Sequence, residues 1–391
     1  MISDDCENLT PKFYREFISS GLTEYERIGL LTAFNFSDGH AYHDIPTVLQ
    51  PVIDRIELIW KESVSKQVPE LEDRFKRALS RVIKSPILGN HSHFSLCPTA
   101  SNSIDIVGAW LATKNYHVGL LEPVFDNLFL MLRRRNVQIS EIQEADLVNL
   151  HDLTKKIDGR KLNCLFIINP NNPTGFDLSL QEFQKLCELC TAKGVTMIID
   201  KTFRLYSRRA FDDYHVLTNY GTNYIVIEDT GKTWPTHETK VSLIAYSESI
   251  ANEIRCLYEE IYLAHSKFSI NLLSHLIEET HRIGVKTVIW DEVDIRKERL
   301  KKILAGTKLT EIIDERSSPI PLGWINCSET GLTDLQMVNE LKKKEITILP
   351  GKYFFWNSQD KNIHNIRISL LRSNAIFDKG MESLELALKN L

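Results

Sequence analysis

The sequence predicts an α/β fold: a large domain on a mostly parallel sheet, followed by a smaller α+β lobe. Three observations predict it. From about Pro98 to Tyr246, short apolar runs alternate with helical stretches, the pattern of βαβ units. From about Pro319 the pattern changes to mixed short strands and helices. The 391 residues suffice for two domains, or one large domain with a lobe.

Each element has its own signal. The runs His117–Leu121, Cys164–Ile168, Val195–Ile199 and Tyr224–Ile227 are apolar, short and bounded by turn residues, so they are expected as strands. Ser179–Gly194 is expected as a helix between two of them. Asn252–Ala305 reads as largely helical with a long connector. In the lobe, strands are expected near Gly323–Asn326, Thr347–Leu349 and Asn365–Leu371, with a helix at Thr333–Lys343 and a last helix at the end. The chain is expected to divide into an N-terminal lid segment with part of the small domain (1–50), a large domain (51–285) and a C-terminal small domain (286–391). The first forty-odd residues are expected against the lobe or over the cleft.

Composition limits the function classes. Hydrophobic residues make up 43% and charged residues 25%, which suits a globular protein with a sizeable core. The net charge of -5 argues against a nucleic-acid binder, which carries a basic stripe. The opening Met-Ile-Ser-Asp-Asp-Cys-Glu has neither the basic nor the apolar stretch of a secretory signal. No apolar run is long enough to span a bilayer, so a cytoplasmic protein without a membrane partner is expected. Seven cysteines are scattered along the chain. Cys187 and Cys190 lie in a helical stretch without a second Cys or His pair, and read as two small helix side chains. His91 and His93 lack a third ligand and read as loop residues, so no metal is expected.

Three stretches carry chemistry. Ile-Ile-Asn-Pro-Asn-Asn-Pro-Thr-Gly, residues 167–175, follows an apolar run and precedes a helix. Ligands of an open parallel sheet bind at the carboxyl edge of the strands, so this word is either a plain turn or part of a site. Asp200 closes the run Met-Ile-Ile-Asp at the same edge, as a helix cap, a turn residue or a functional carboxylate. Lys232 follows some thirty residues later, within Ile227-Glu-Asp-Thr-Gly-Lys-Thr-Trp-Pro-Thr-His-Glu-Thr-Lys240.

These words resemble the signature of the class I and II aminotransferases. The resemblance implies a fold-type I transferase with a seven-stranded sheet, pyridoxal 5'-phosphate (PLP) as cofactor, and a homodimer, because the sites of that fold form at a subunit interface. It implies that Asn172 hydrogen-bonds the phenolic O3′ of PLP. Asp200 would keep the pyridine nitrogen protonated, which makes the ring an electron sink. Lys232 would carry PLP as a Schiff base and then serve as the base at Cα. Lys240 stands where the family has an Arg on the phosphate, and is a point charge without the bidentate fork. Thr99, Ala100 and Ser101 would receive the phosphate at a helix N-terminus. Phe125 would stack on the ring, and Arg367 would bind the substrate α-carboxylate bidentately. Arg372 is expected on the surface.

Three positions depart from that pattern: Phe203 replaces a Tyr that donates to O3′, Asp229 replaces a Ser, and Lys240 replaces the Arg. They resemble a narrower group, the PLP-dependent, dioxygen-using L-arginine oxidases. The motifs are Phe36-Ser-Asp38-Gly-His40, Phe125-Asp-Asn, Asp200-x-x-Phe203-Arg204, Asp229-Thr-Gly-Lys232-x-Trp-Pro-Thr, and Leu22-Thr23-Glu-Tyr-Glu26. The resemblance gives the arginine guanidinium to Glu26, Asp38 and Asp229, with Thr23 and Gly39 also at the substrate, since carboxylates suit its fork. It makes His40 the residue that handles water or reduced oxygen. It implies that L-arginine displaces Lys232, that protons leave Cα and then Cβ, and that dioxygen takes the electrons. Peroxide leaves, and the product imine hydrolyses to release ammonia. Without the Tyr donor, O3′ would be more basic. The product is a dehydro-2-iminoarginine or 2-keto compound in a desaturase, and a 4-hydroxylated 2-keto compound in a hydroxylase. The Ile-, Lys- and Asn-rich composition is unlike that of actinomycete hydroxylases and inclines the reading to the desaturase. An imine reductase would be a further partner in natural-product biosynthesis. The alternative reading is an aminotransferase acting on arginine or a related basic amino acid.

Overall fold

The structure, a computed structural model, describes residues 21–209 and 211–389. The first twenty residues of the expected N-terminal segment lie outside them. The chain opens with α1 (Leu22–Gly29) and β1 (Phe34–Asn35), then the helices α2 (Gln50–Ile53), α3 (Ile56–Ser65), α4 (Val68–Val82) and α5 (Pro86–Asn90). The α/β body runs β2 (Phe94–Cys97), α6 (Ala100–Thr113), β3 (His117–Glu122), α7 (Asp126–Arg134), β4 (Gln138–Gln143), α8 (Glu144–Val148) and α9 (Leu150–Arg160). It continues β5 (Cys164–Ile168), α10 (Leu180–Lys193), β6 (Thr196–Asp200), α11 (Asp213–Asn219), β7 (Tyr224–Asp229) and β8 (Ser242–Tyr246). Helices α12 (Ala251–Glu259), α13 (Lys267–Ile283) and α14 (Asp291–Leu304) lead to the last part. That part holds β9 (Thr310–Glu311), β10 (Leu322–Asn326), α15 (Asp334–Lys342), β11 (Ile346–Thr347), β12 (Leu349–Pro350), β13 (Asn365–Ser369) and α16 (Asn374–Leu388).

Seven strands form the main sheet in the order β2-β8-β7-β6-β5-β3-β4. The pairs among β3 to β7 are parallel, and β8 alone runs against both its neighbours. The expected α/β class and mostly parallel seven-stranded sheet are therefore present. Strands β5, β6 and β8 are buried at every position, as expected when helices cover both faces of a sheet. The helices between them have readable starts and stops. Ser179 and Glu182 form a capping box at the head of α10, and Gly194 ends it at φ 64. Helix α4 buries Leu71, Phe75, Ala78, Leu79 and Val82, one face at helical spacing, and packs on α13.

A second, antiparallel sheet runs β12-β13-β10-β9. Its core gathers Ile325, Ile366 and Ile368 with Leu300, Met337, Phe377 and Met381. Phe36, from the start of the chain, is buried in this same cluster, and β1 pairs in parallel with β11. The segment after α1 thus packs with the C-terminal lobe, in a separate two-stranded sheet with β11. No helix among the described residues is long and apolar enough to cross a membrane. Cys187 and Cys190 are buried on α10, and His91 Nε2 donates to the Tyr246 carbonyl at 3.0 Å.

Candidate active site

Parallel strands bring their carboxyl ends to one edge. Ile168 at the end of β5 pairs with Asp200 at the end of β6, Asp200 pairs with Ile227, and β7 runs two residues further to Asp229, opposite Ser242 where antiparallel β8 begins just after Lys240. A cavity of about 320 Å³ opens at this edge. Every expected site residue lines it except Asp38 and Gly39: Lys232, His40, Thr99, Ala100, Ser101, Phe125, Asn172, Asp200, Lys240, Thr23, Glu26, Asp229 and Arg367.

The floor comes from the sheet. Burial pushes the Asp200 carboxyl up to about 6, against hydrogen bonds from Thr202, whose N–H and hydroxyl reach Oδ1 at 2.8 and 2.5 Å. Lys232 is half-buried on the cavity wall, and desolvation lowers its pKa although Asp38, Glu26 and Asp229 oppose the shift. Its backbone is held by Tyr206, whose hydroxyl donates to the Lys232 carbonyl at 2.6 Å. Asp229 accepts the Gly231 N–H through Oδ2 at 2.8 Å; its Oδ1 is buried without a hydrogen-bond partner among the described residues. Phe203 presents a ring where a phenol was the alternative, and is 2% exposed.

Of the three Asn residues in the 167–175 word, two serve the fold. Asn169 accepts the Leu178 N–H at 2.9 Å, and Asn171 donates to Pro123 and Glu144. Only Asn172 lines the cavity, where its Oδ1 accepts from Arg367 at 3.3 Å. Helix α6 begins at the opposite wall, with Thr99 as its N-cap accepting the Asn102 N–H. Lys240 reaches the same wall, its ammonium paired with Glu238, which also accepts from the Tyr42 hydroxyl. Gly231 leaves room there for the Lys240 side chain, whose Cδ would stand 2.8 Å from a Cβ at that position.

The roof comes from both ends of the chain. Arg367 on β13 is buried; its guanidinium donates to the Ser37 carbonyl, faces Glu26 at 3.8 Å and lies 5.7 Å over the Phe125 ring. Its Nε has no partner among the described residues. Burial pushes the Glu26 carboxyl up to about 7, Asp38 adding to the effect and Arg367 opposing it. His40 Nδ1 sits 2.5 Å from Asp38 Oδ1, which also accepts the His40 N–H at 2.9 Å. Burial alone would raise Asp38, but this bond and the charges of Lys232 and Arg372 hold it well below the usual carboxylate range. Burial and Lys232 lower the His40 pKa against Asp38. So Asp38 stands behind His40 rather than on the cavity wall. Gly39 lies behind Arg367 and Lys232: a Cβ there would meet both at 3.7–3.8 Å.

One expectation needs correcting. Arg372 is 2% exposed, not a surface residue. Its guanidinium donates to the carbonyls of Asn35, Asp38, His40 and Leu371. The returning N-terminal segment covers it, a contact between residues more than 330 positions apart that no local pattern announces. Tyr206, Asn127 and Thr202 also escaped sequence reasoning. Asn127 and its neighbour Asp126 sat inside a quoted motif, whereas Tyr206 had no signal at all.

The donor set fits PLP. A half-buried lysine, a carboxylate at a strand end, a helix start with hydroxyls, and a cation on the far wall match its aldehyde, ring nitrogen and phosphate. The orphaned Arg367 Nε and Asp229 Oδ1 mark polar atoms that a bound molecule would satisfy.

Comparison with known proteins agrees with this architecture. The sequence pattern of class I and II aminotransferases matches residues 74–304. Among solved structures, MppP soaked with the product 2-ketoarginine superposes with a TM-score of 0.83 at 25% identity, over 90% of this chain and 99% of that one. Aspartate aminotransferase from Thermus thermophilus, with maleate, gives 0.77 at 13% identity over 97% and 99%. A PLP-bound aminotransferase-fold protein from Clostridium difficile 630 gives 0.72 at 14% over 95% and 96%. Cystathionine beta-lyase PatB of Bacillus subtilis (strain 168) is 29% identical over 84 residues, 20% of this chain, and the chain spans only 22% of the length of that relative.

Proposed function

We propose, from the premise that this chain belongs to the class I and II aminotransferase family, that it is a PLP-dependent oxidase of L-arginine that delivers electrons to dioxygen. PLP is the cofactor of the chain. When bound, it supplies an electron sink for charge that develops at the substrate Cα. The observation that carries the proposal is the pair Glu26 and Asp229, two largely buried carboxylates lining the same cavity as Lys232 and Arg367. An amino acid with a cationic, forked tail satisfies both ends of such a cavity. The likeness to MppP, whose structure holds 2-ketoarginine as product, supports the same substrate.

In this reading Asn172, Asp200, Phe125, Lys240 and the Thr99–Ser101 turn hold the cofactor. Arg367 orients the α-carboxylate, its second face already filled by Phe125 and Phe354. Glu26 and Asp229, with Thr23, hold the guanidinium, and Asp38 acts behind them by fixing His40. The lowered pKa of Lys232 favours a neutral amine, the form that takes a proton from Cα. His40, kept neutral by burial and oriented by Asp38, is placed to move a proton at water or reduced oxygen. Phe203 offers no hydroxyl to the cofactor. The products are a dehydro-2-imino or 2-keto derivative, with the desaturase favoured over the hydroxylase, together with hydrogen peroxide and ammonia. An imine reductase would intercept the imine.

Two copies are proposed to pair. On α3, Ile56, Trp60 and Val64 lie one turn apart along one stripe and are 38%, 58% and 70% exposed. An apolar stripe of that kind favours burial against another protein surface.

An oxygen electrode decides the central claim. L-Arginine should drive oxygen uptake with peroxide formation and without an added keto acid. Transfer to a keto acid with no uptake would establish the aminotransferase alternative instead.

A further inference from the structure

The motif Phe125-Asp126-Asn127 contains a residue that the proposed reaction leaves idle. Phe125 and Asn127 line the cavity, but Asp126 does not. It is 6% exposed and its Oδ2 accepts the Leu22 N–H at 2.8 Å, across 104 positions of sequence. Leu22 is the first residue of α1. The first N–H groups of a helix have no partner within it, and α1 has glycine at its cap position, with no side chain to supply one. Asp126 supplies that acceptor from another element.

The fit is close. A Cβ on residue 21 would stand 2.6 Å from Asp126 Oδ2, so the carboxylate reaches the helix only because Gly21 carries no side chain. Gly21 has an extended backbone, φ -158, that any residue adopts; glycine is needed for space and not for conformation. An eight-residue helix does not hold itself together in water, so α1 depends on such outside contacts. Leu22 is fully buried against Trp324, Leu349 and Phe354. One and four positions further on, Thr23 and Glu26 face the cavity.

We propose that Asp126 is a positioning residue that pins α1 over the cavity and thereby sets Thr23 and Glu26 against the substrate tail. The part played by the substrate tail rests on the arginine reading given above; the pinning of α1 does not. A carboxylate aimed at a helix N-terminus is favoured by the helix dipole as well as by the hydrogen bond. Burial raises the Asp126 carboxyl to about 6, against the N–H groups of Leu22 and Asn127 and the charge of Arg367.

The test uses the PLP-loaded enzyme and three variants: Asp126→Ala, Asp126→Asn and Gly21→Ala. Asp126→Ala should speed amide hydrogen exchange across residues 22–29 roughly tenfold, the size expected on losing a helix cap. It should raise KM for L-arginine by a similar factor while kcat and the cofactor absorbance stay near wild type. Asp126→Asn keeps an acceptor oxygen and should restore most of the protection and most of the KM. Gly21→Ala keeps the Asp126 carboxylate in the sequence and should reproduce the Asp126→Ala result by displacing that carboxylate from the Leu22 N–H. Unchanged exchange in Asp126→Ala and Gly21→Ala overturns the proposal. So does loss of PLP from Asp126→Ala, which would make the residue part of the cofactor bed. If wild type fails to turn over arginine, the substrate reading falls, and the exchange measurement still decides whether Asp126 pins α1.

Discussion

At the scale of single residues, the site works by placing charges where water cannot shield them. Asp229 is the clearest case. One oxygen is spent on the Gly231 N–H and the other is buried without a partner among the described residues. An unsatisfied buried acceptor costs about 1–3 kcal/mol, so the fold tolerates it for a reason outside its own stability. On the proposed function that reason is the substrate guanidinium. Asp229→Asn should therefore raise KM for L-arginine roughly 10- to 100-fold, the worth of a charge-assisted hydrogen bond, while PLP affinity from spectral titration changes little. Loss of PLP with unchanged arginine affinity would place Asp229 on the cofactor side instead.

At the scale of elements, three helices share one half-buried ionic knot. Glu62 at the end of α3 receives Arg74 from α4 at 3.0 Å and His275 from α13 at 2.9 Å, with Asn271 and Lys66 beside it. Burial would raise its carboxyl, but the hydrogen bonds from His275, Asn271 and Lys66 and the charge of Arg74 prevail and bring it down to about 2 from an ordinary 4.5. A carboxyl lowered by folding stabilises the fold above its unfolded value and stops doing so as pH falls through its folded value. Glu62 thus contributes fully above about 4.5 and loses its contribution between 4.5 and about 2. Urea midpoints measured across that window should fall more steeply in wild type than in Glu62→Gln. Equal slopes would mean that the knot is not ionic in its effect.

Element by element, the sequence was legible where burial is uniform. The central strands β3, β5, β6 and β7 are apolar runs, and each was expected within a residue or two of its place, β6 one residue later so that Asp200 closes it. Strand β4, Gln-Ile-Ser-Glu-Ile-Gln, is at the sheet edge and four of its six residues are polar, so its run does not stand out. Strand β8 gives no sign of its reversed direction, because apolar composition is the same for either polarity. The candidate site was legible through its motifs, several of which sit where a strand of the main sheet ends. What escaped was long-range: that Asp38 lies behind His40, that Arg372 is covered, and that Asp126 caps a helix a hundred residues away. Such contacts depend on how separate elements meet, which local periodicity does not encode.

For the molecule as a whole, the exposed stripe on α3 is a surface that pairing would cover. Replacing Trp60 with Glu puts a charge in the middle of Ile56, Trp60 and Val64. Light scattering should then give half the wild-type mass if two copies pair there. An unchanged mass would move the pairing to another face.

The pairing of β1 with β11 and of Arg367 with Ser37 has a consequence for how the protein is made. Strands β2 to β8 and the whole PLP-facing edge are synthesised by residue 246, while the roof waits for Arg367, 330 positions after its partner. At about 5–20 residues per second, the 121 positions from residue 246 to Arg367 take on the order of 6–24 s. A growing chain therefore has a bed for an electron-withdrawing cofactor long before it has a place to hold an amino acid. On the proposed chemistry, chains not yet past Arg367 would carry no arginine to oxidise and release no peroxide, and the ability to reduce dioxygen would arrive only once Arg367 is in place.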